Sequence, residues 1–166
     1  MKLQRFSLII LTSVILGLSF SSCDAWDYYW TPGTLDYSAK LSGPPNGNIK
    51  TDFTIDNSWV TLRNSNSLFE IRDIRFTRGE IEIKVYDREQ INELYLSIDG
   101  TNVSLPFPLL QGIVRDNSPE AQNFLSIVVD RVNRFGYARI LVDGSYSPRI
   151  DFDINFIVDL DVYVRE

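Results

Sequence analysis

Four aspartates near the C-terminus, Asp151, Asp153, Asp159 and Asp161, are the most concentrated acid chemistry in the chain. They alternate with apolar residues, so an extended backbone sets all four on one face. Carboxylates two residues apart on a strand stand ~6.5–7 Å apart. Calcium gathers several oxygens at ~2.3–2.6 Å, usually from a loop that curls round the ion. A straight strand does not curl, and no EF-hand spacing is present. The four therefore read as solvent-facing acids, partly paired with arginines such as Arg72, Arg75 or Arg139, which also discourage edge-to-edge pairing. No metal is assigned to them. A carboxylate pair could instead supply the acid and base of a glycosidase, at ~5–5.5 or ~6.5–9.5 Å. With 22 acidic residues some pair meets that separation by chance, so the spacing selects nothing.

Composition removes most other chemistry. Histidine is absent, which takes away the commonest general base. The one cysteine, Cys23, cannot form a disulfide within the chain, and no His/Cys metal cluster can be assembled. No G-x-S-x-G, phosphate loop or zinc motif occurs. The sequence assigns no catalytic residue and no cofactor, and a non-enzyme is expected.

Cys23 has a suggestive position. Lys2 and Arg5 precede an apolar run from Phe6 to Phe20, and Ser21 and Ser22 lead into the cysteine. A secretory signal has this three-part form, and the apolar run is shorter than the ~20 residues of a membrane span. Phe20-Ser21-Ser22-Cys23 resembles the lipobox of bacterial lipoproteins, with phenylalanine where the family usually has an aliphatic residue. The resemblance implies that 1–22 is a signal peptide and that Cys23 is lipidated and becomes the new N-terminus. Several acyl chains, at ~0.8 kcal/mol per buried CH2, would then hold the protein stably on a membrane. The Tyr-, Asn- and Asp-rich style resembles small lipoproteins of Bacteroidota, and the resemblance implies a location in the cell envelope, at the outer membrane. The alternative is an ordinary cleaved signal that leaves a free thiol. Removing Lys2 and Arg5 would change the net charge from −6 to −8. That balance argues against a nucleic-acid partner.

Residues 23–34 read as an anchor and aromatic tether. Trp26, Tyr28, Tyr29 and Trp30 could serve as membrane-interface aromatics. The alternatives are a platform for a sugar or peptide, and a first strand whose rings join the core.

Residues 35–166 must position these groups as a single domain. Ile150 to Val164 alternates strictly, with Ile150, Phe152, Ile154, Phe156, Val158, Leu160, Val162 and Val164 on one face. Strands are also expected at 35–41, 49–55, 58–63, 94–98, 103–105 and 137–142. A hairpin is expected within 68–85, turning at Arg78-Gly79, because the apolar parity changes there. Asp99-Gly100 signals a further hairpin. Pro106-Phe107-Pro108 reads as the end of a strand, and 143–148 as a loop. One amphipathic helix is expected at about 119–134, with Ser118 as N-cap, Pro119 in the first turn and Gly136 as the stop. Its inward face would be Ala121, Phe124, Leu125, Val128, Val129 and Val132. About nine strands without a βαβ rhythm predict a mainly β protein, an antiparallel β-sandwich.

The order of Asn64-Ser65-Asn66, the helix and the segment Tyr137 to Gly144 is similar to the LEA14-like β-sandwich proteins, whose motif has proline between the two asparagines. That resemblance implies a fold and no activity. The expected function is a non-catalytic binding or assembly module, membrane-anchored through Cys23, with an envelope protein as partner. The alternative is a lipid or glycan binder using space beneath the helix or the aromatics Trp26 to Trp30. A small envelope hydrolase is the third class.

Overall fold

The computed structural model describes residues 28–43, 47–63, 70–86, 90–146 and 150–165. Among them nine strands and one α-helix follow in order: β1 (Tyr28–Ser42), β2 (Asn48–Asp56), β3 (Val60–Leu62), β4 (Glu70–Val85), β5 (Ile91–Ile98), β6 (Ser104–Leu110), β7 (Ile113–Asp116), α1 (Pro119–Phe135), β8 (Tyr137–Tyr146) and β9 (Asp151–Arg165). The strands form two antiparallel sheets, β3-β1-β9-β4-β7 and β2-β8-β5-β6. This is the expected sandwich.

The last strand is its centre. β9 pairs with β1 from Tyr28↔Arg165 to Ser42↔Asp151, and on its other edge with β4. Its seven alternate apolar residues, and Ile150 just before it, are each at most 2% exposed. At ~1.5–3 kcal/mol each, their burial does much to hold the first sheet to the second. Helix α1 has the expected caps: Ser118 Oγ accepts from the Ala121 N–H at 3.2 Å, and Gly136 stops it at φ 81°. All six predicted inward residues are buried. The helix packs on β4 of one sheet and on β8 and β6 of the other, and so closes that side of the sandwich.

Four local expectations are corrected. The hairpin at Arg78-Gly79 is absent, because β4 runs through both residues as one strand. Its register shifts between Ile71 and Asp73 and between Phe76 and Arg78. A bulge inserts an extra residue and flips the parity of the residues beyond it, which mimics the two arms of a hairpin. The Pro106-Phe107-Pro108 segment continues β6, where each proline sits on the outer strand of its sheet and sacrifices no required donor. Residues 143–146 belong to β8, and a Cβ at Gly144 would stand 2.5 Å from the Glu93 carbonyl oxygen. That glycine marks a close backbone approach rather than a loop. The segment 58–63 splits into a one-turn 3-10 helix, Asn57–Trp59, and the short β3.

Candidate functional site

Cys23 and Trp26 lie outside the described residues, as do Asn64, Ser65 and Asn66. Tyr28, Tyr29 and Trp30 do not form a tether: they open β1 and are paired with β9. The tether boundary at residue 34 is therefore corrected to a sheet that is already formed at Tyr28. Neither do the rings join the core, since all three are exposed. Tyr28 and Trp30 face outward and flank Tyr163 of β9, with ring centroids 5.5 and 5.1 Å from it. The guanidinium of Arg75, on β4, lies 4.0 Å from the centre of the Trp30 ring, and that of Arg165 lies 5.9 Å from Tyr28. Guanidinium planes over ring faces are held by the ring quadrupole. Residues distant in sequence, Arg75, Tyr163 and Arg165, thus complete a cluster of which sequence reading sees only the first strand.

The acidic face of β9 is solvent-facing, as its alternation requires, but its partners differ from those expected. Asp159 is clamped between Arg78 at 2.6 Å and Arg63 at 2.5 Å. Asp153 accepts from the Tyr86 hydroxyl. Arg72, Arg75 and Arg139 pair instead with Glu70, Asp73 and Asp52, the last with two bonds of 2.9 Å. The β4 bulges decide this, because they slide Arg78 into register with Asp159. The hydrogen bond from Arg78, with Arg63 beside it, holds the Asp159 carboxyl below its ordinary value. Arg139 does the same to Asp52, and Arg115 to Glu82. A general acid at neutral pH needs the opposite shift. Among the described residues no three Asp, Glu or Cys side chains converge as metal ligands would.

The space beneath the helix is lined by packed side chains: Phe124 is fully buried and stacks on Phe156 with centroids 6.3 Å apart. From Phe156 the aromatic contacts continue outward. Phe156 meets Phe53 at 5.8 Å, Phe53 stacks on Tyr37 at 5.1 Å, and Tyr37 meets Trp59 edge-on at 5.0 Å. Trp59 ends this series at the surface, 41% exposed. The 3-10 turn that holds it is capped by Asp56, which accepts from the Ser58 N–H at 2.9 Å. Burial, and then the charge of Asp56, push the Tyr37 hydroxyl above its ordinary value.

Beside Trp59 lies an open depression of about 370 Å³, lined by Asp36, Tyr37, Ser38, Trp59, Asn155 and Ile157. Asp36 and Ser38 come from the outward row of β1, Asn155 and Ile157 from that of β9. Sequence reading misses this site. Its one visible signal is Ile157, an aliphatic residue set between Asn155 and Asp159 in the outward row of β9. Compared with family models, curated proteins and solved structures, the chain matches none of them.

Proposed function

We propose that this chain is a lipoprotein of the cell envelope, anchored in the outer membrane through acyl chains on Cys23, whose β-sandwich is a non-catalytic module that binds an envelope protein partner. The observation that carries the reading is the cluster of Tyr28, Trp30, Tyr163, Arg75 and Arg165 at the end of the sandwich where the chain arrives from Cys23. Tyr28 is five residues from Cys23, a reach of at most about 18 Å even when fully extended. A lipid on that cysteine would hold the cluster close to the bilayer. Tyrosine and tryptophan favour the headgroup level, and arginine forks match phosphate. Among the described residues no helix is long and apolar enough to cross a membrane, so an anchor of this kind would supply what the fold does not.

The test has two arms on the full chain. Metabolic labelling with a palmitate analogue should mark the wild type and not Cys23→Ser. Cross-linking in intact cells, followed by purification in detergent and mass spectrometry, should return a stoichiometric protein partner. Equal labelling of both chains, or none of either, would refute the anchor. Recovery of lipid or glycan without a protein would replace the assembly module by a small-ligand binder.

A further inference from the structure

The depression beside Trp59 carries chemistry that the membrane anchor does not use. Its wall is apolar and rigid. Trp59 stands edge-on to Tyr37, and Tyr37 is fixed by stacking on Phe53, which is itself buried. A wall locked in this way loses little conformational freedom when something binds to it. Its floor is Ile157, exposed by 44% between Asn155 and Asp159 on the outward row of β9.

Its rim is polar and oriented. Asn155 donates its Nδ2 to Glu82 at 3.1 Å, which leaves Oδ1 to accept from a ligand. Asp36 accepts from the Thr34 hydroxyl at 3.2 Å through one oxygen and keeps the other. Ser38 adds a hydroxyl that can both donate and accept. The rim is thus rich in acceptors, and its charge is negative.

We infer that this depression is a subsite for an uncharged sugar ring, a pyranose unit of a neutral glycan. The reasoning is one of matching. A pyranose presents hydroxyl donors at its edge and an apolar C–H face, and C–H hydrogens are attracted to the negative face of an indole. Acceptors at Asp36 and Asn155 suit those hydroxyls, while the apolar face would lie across Trp59 and Ile157. An acidic sugar or a phosphate would meet Asp36 at the rim and a chain of net charge −6. An acyl chain would leave the remaining oxygens of Asp36 and Asn155 and the Ser38 hydroxyl facing hydrocarbon. The volume of about 370 Å³ is at the lower end of small-ligand sites, which fits a monosaccharide unit rather than a long helical segment.

The inference goes beyond the protein-binding reading and does not rest on it, because the depression shares no residue with the cluster around Tyr28 and Trp30. The experiment is calorimetric titration of the full-length protein in detergent with cellotetraose, maltotetraose, mannotetraose and tetra-N-acetylchitotetraose. At least one should bind saturably. Trp59→Ala and Asp36→Asn should each weaken that affinity by at least about tenfold with an unchanged melting temperature. Tyr95→Ala, an exposed ring on the other sheet, should bind as the wild type does. Asp36→Asn keeps the side-chain shape, so the test survives if Trp59→Ala fails to fold. Silence of all four sugars overturns the inference, as does binding that neither variant weakens. A lysine-rich peptide that binds and is lost with Trp59→Ala, while the sugars stay silent, overturns it in favour of a peptide. In each of those cases a cross-linked protein partner would still leave the binding-module reading standing.

Discussion

The side-chain amide of Gln122, in the first turn of α1, closes both hydrogen-bonding groups of Gly79: its Oε1 accepts the Gly79 N–H at 3.0 Å and its Nε2 donates to the Gly79 carbonyl oxygen. Asn133, three turns later, accepts the Ile74 N–H at 3.1 Å and donates to the Asp73 carboxylate. β7 pairs with β4 only from Ile81 to Lys84, so among the described residues the rest of that edge has no strand beside it. The helix supplies the missing partner through side-chain amides. An open edge is a template for aggregation, and here it is covered rather than charged.

Removing that cover should be costly. Gln122→Ala leaves a donor and an acceptor at Gly79 without partners, an expected loss of about 1–3 kcal/mol. Gly79→Ala attacks the same contact from the other side, since a Cβ there would stand 2.8 Å from Leu125 Cδ1 and 3.0 Å from the Ile157 carbonyl oxygen. Overpacking of this kind costs about 1–3 kcal/mol. Urea denaturation of both variants checks it. A midpoint equal to wild type for Gln122→Ala would mean that water serves that edge as well as the helix does.

Asp159, Asp52 and Glu82 make stability depend on acid in one direction. Each has a folded pKa held below its ordinary value by an arginine hydrogen bond. A depressed folded pKa adds stability that is present above the unfolded pKa of about 4 and is lost as pH falls through the folded pKa. The melting temperature should therefore drop progressively below about pH 4, with little change above it from these groups. Asp159→Asn should melt lower than wild type at pH 7, and the two should converge in acid. Exposed pairs are worth about 0–1 kcal/mol, so the gap at pH 7 should be small. A gap that widens on acidification would reverse the assignment.

The register of β9 makes a sharper pair. Ile154 is fully buried, whereas its neighbour Asp153 faces outward to the Tyr86 hydroxyl. Ile154→Asp puts a carboxylate among apolar side chains and should unfold the domain, a loss beyond about 4 kcal/mol. Asp153→Ala should cost under about 1 kcal/mol. Circular dichroism melts separate the two, and equal melts would mean that the strand is slipped by one residue.

That strand is legible because it obeys a single period from end to end, and the helix because its caps and its apolar face agree. The expected strand count also agrees with the structure, but through two errors that cancel. Alternation divides residues 68–85 into a hairpin where one strand runs, and it finds nothing at Ile113–Asp116 where a strand exists. It reports which face a side chain takes and is blind to why the face changes, so a bulge at Thr77 and a turn look alike. β7 is four residues long and has no buried side chain, which leaves no pattern to read. The Trp59 depression is hidden for a different reason. Its lining comes from β1, the 3-10 turn and β9, which are brought together by the pairing of Asp36 with Ile157 and by the contact of Tyr37 with Trp59.

The membrane reading makes a prediction about depth. Trp30 pairs with Tyr163, whereas Trp59 borders Ile157, six residues back along β9. At ~3.3 Å per residue the two indoles are separated by about 20 Å along the strand. If Cys23 anchors the end that carries Tyr28, only Trp30 reaches the headgroups. The chain has three tryptophans, so Trp26→Phe with Trp59→Phe isolates Trp30, and Trp26→Phe with Trp30→Phe isolates Trp59. Each lipidated full-length variant would be reconstituted into phosphatidylcholine–phosphatidylglycerol vesicles whose acyl chains are brominated near the carbonyl, a short-range quencher. Trp30 should be quenched and Trp59 should emit as it does in unbrominated vesicles. Replacing Arg75 by Ala should reduce the quenching of Trp30, because the guanidinium at 4.0 Å both orders that ring and can meet lipid phosphate. Quenching of Trp59 equal to that of Trp30 would mean that the sandwich lies flat on the bilayer, which would bury the proposed sugar subsite. Quenching of neither would move the aromatic cluster off the membrane and leave its arginines and rings as the contact surface for the protein partner.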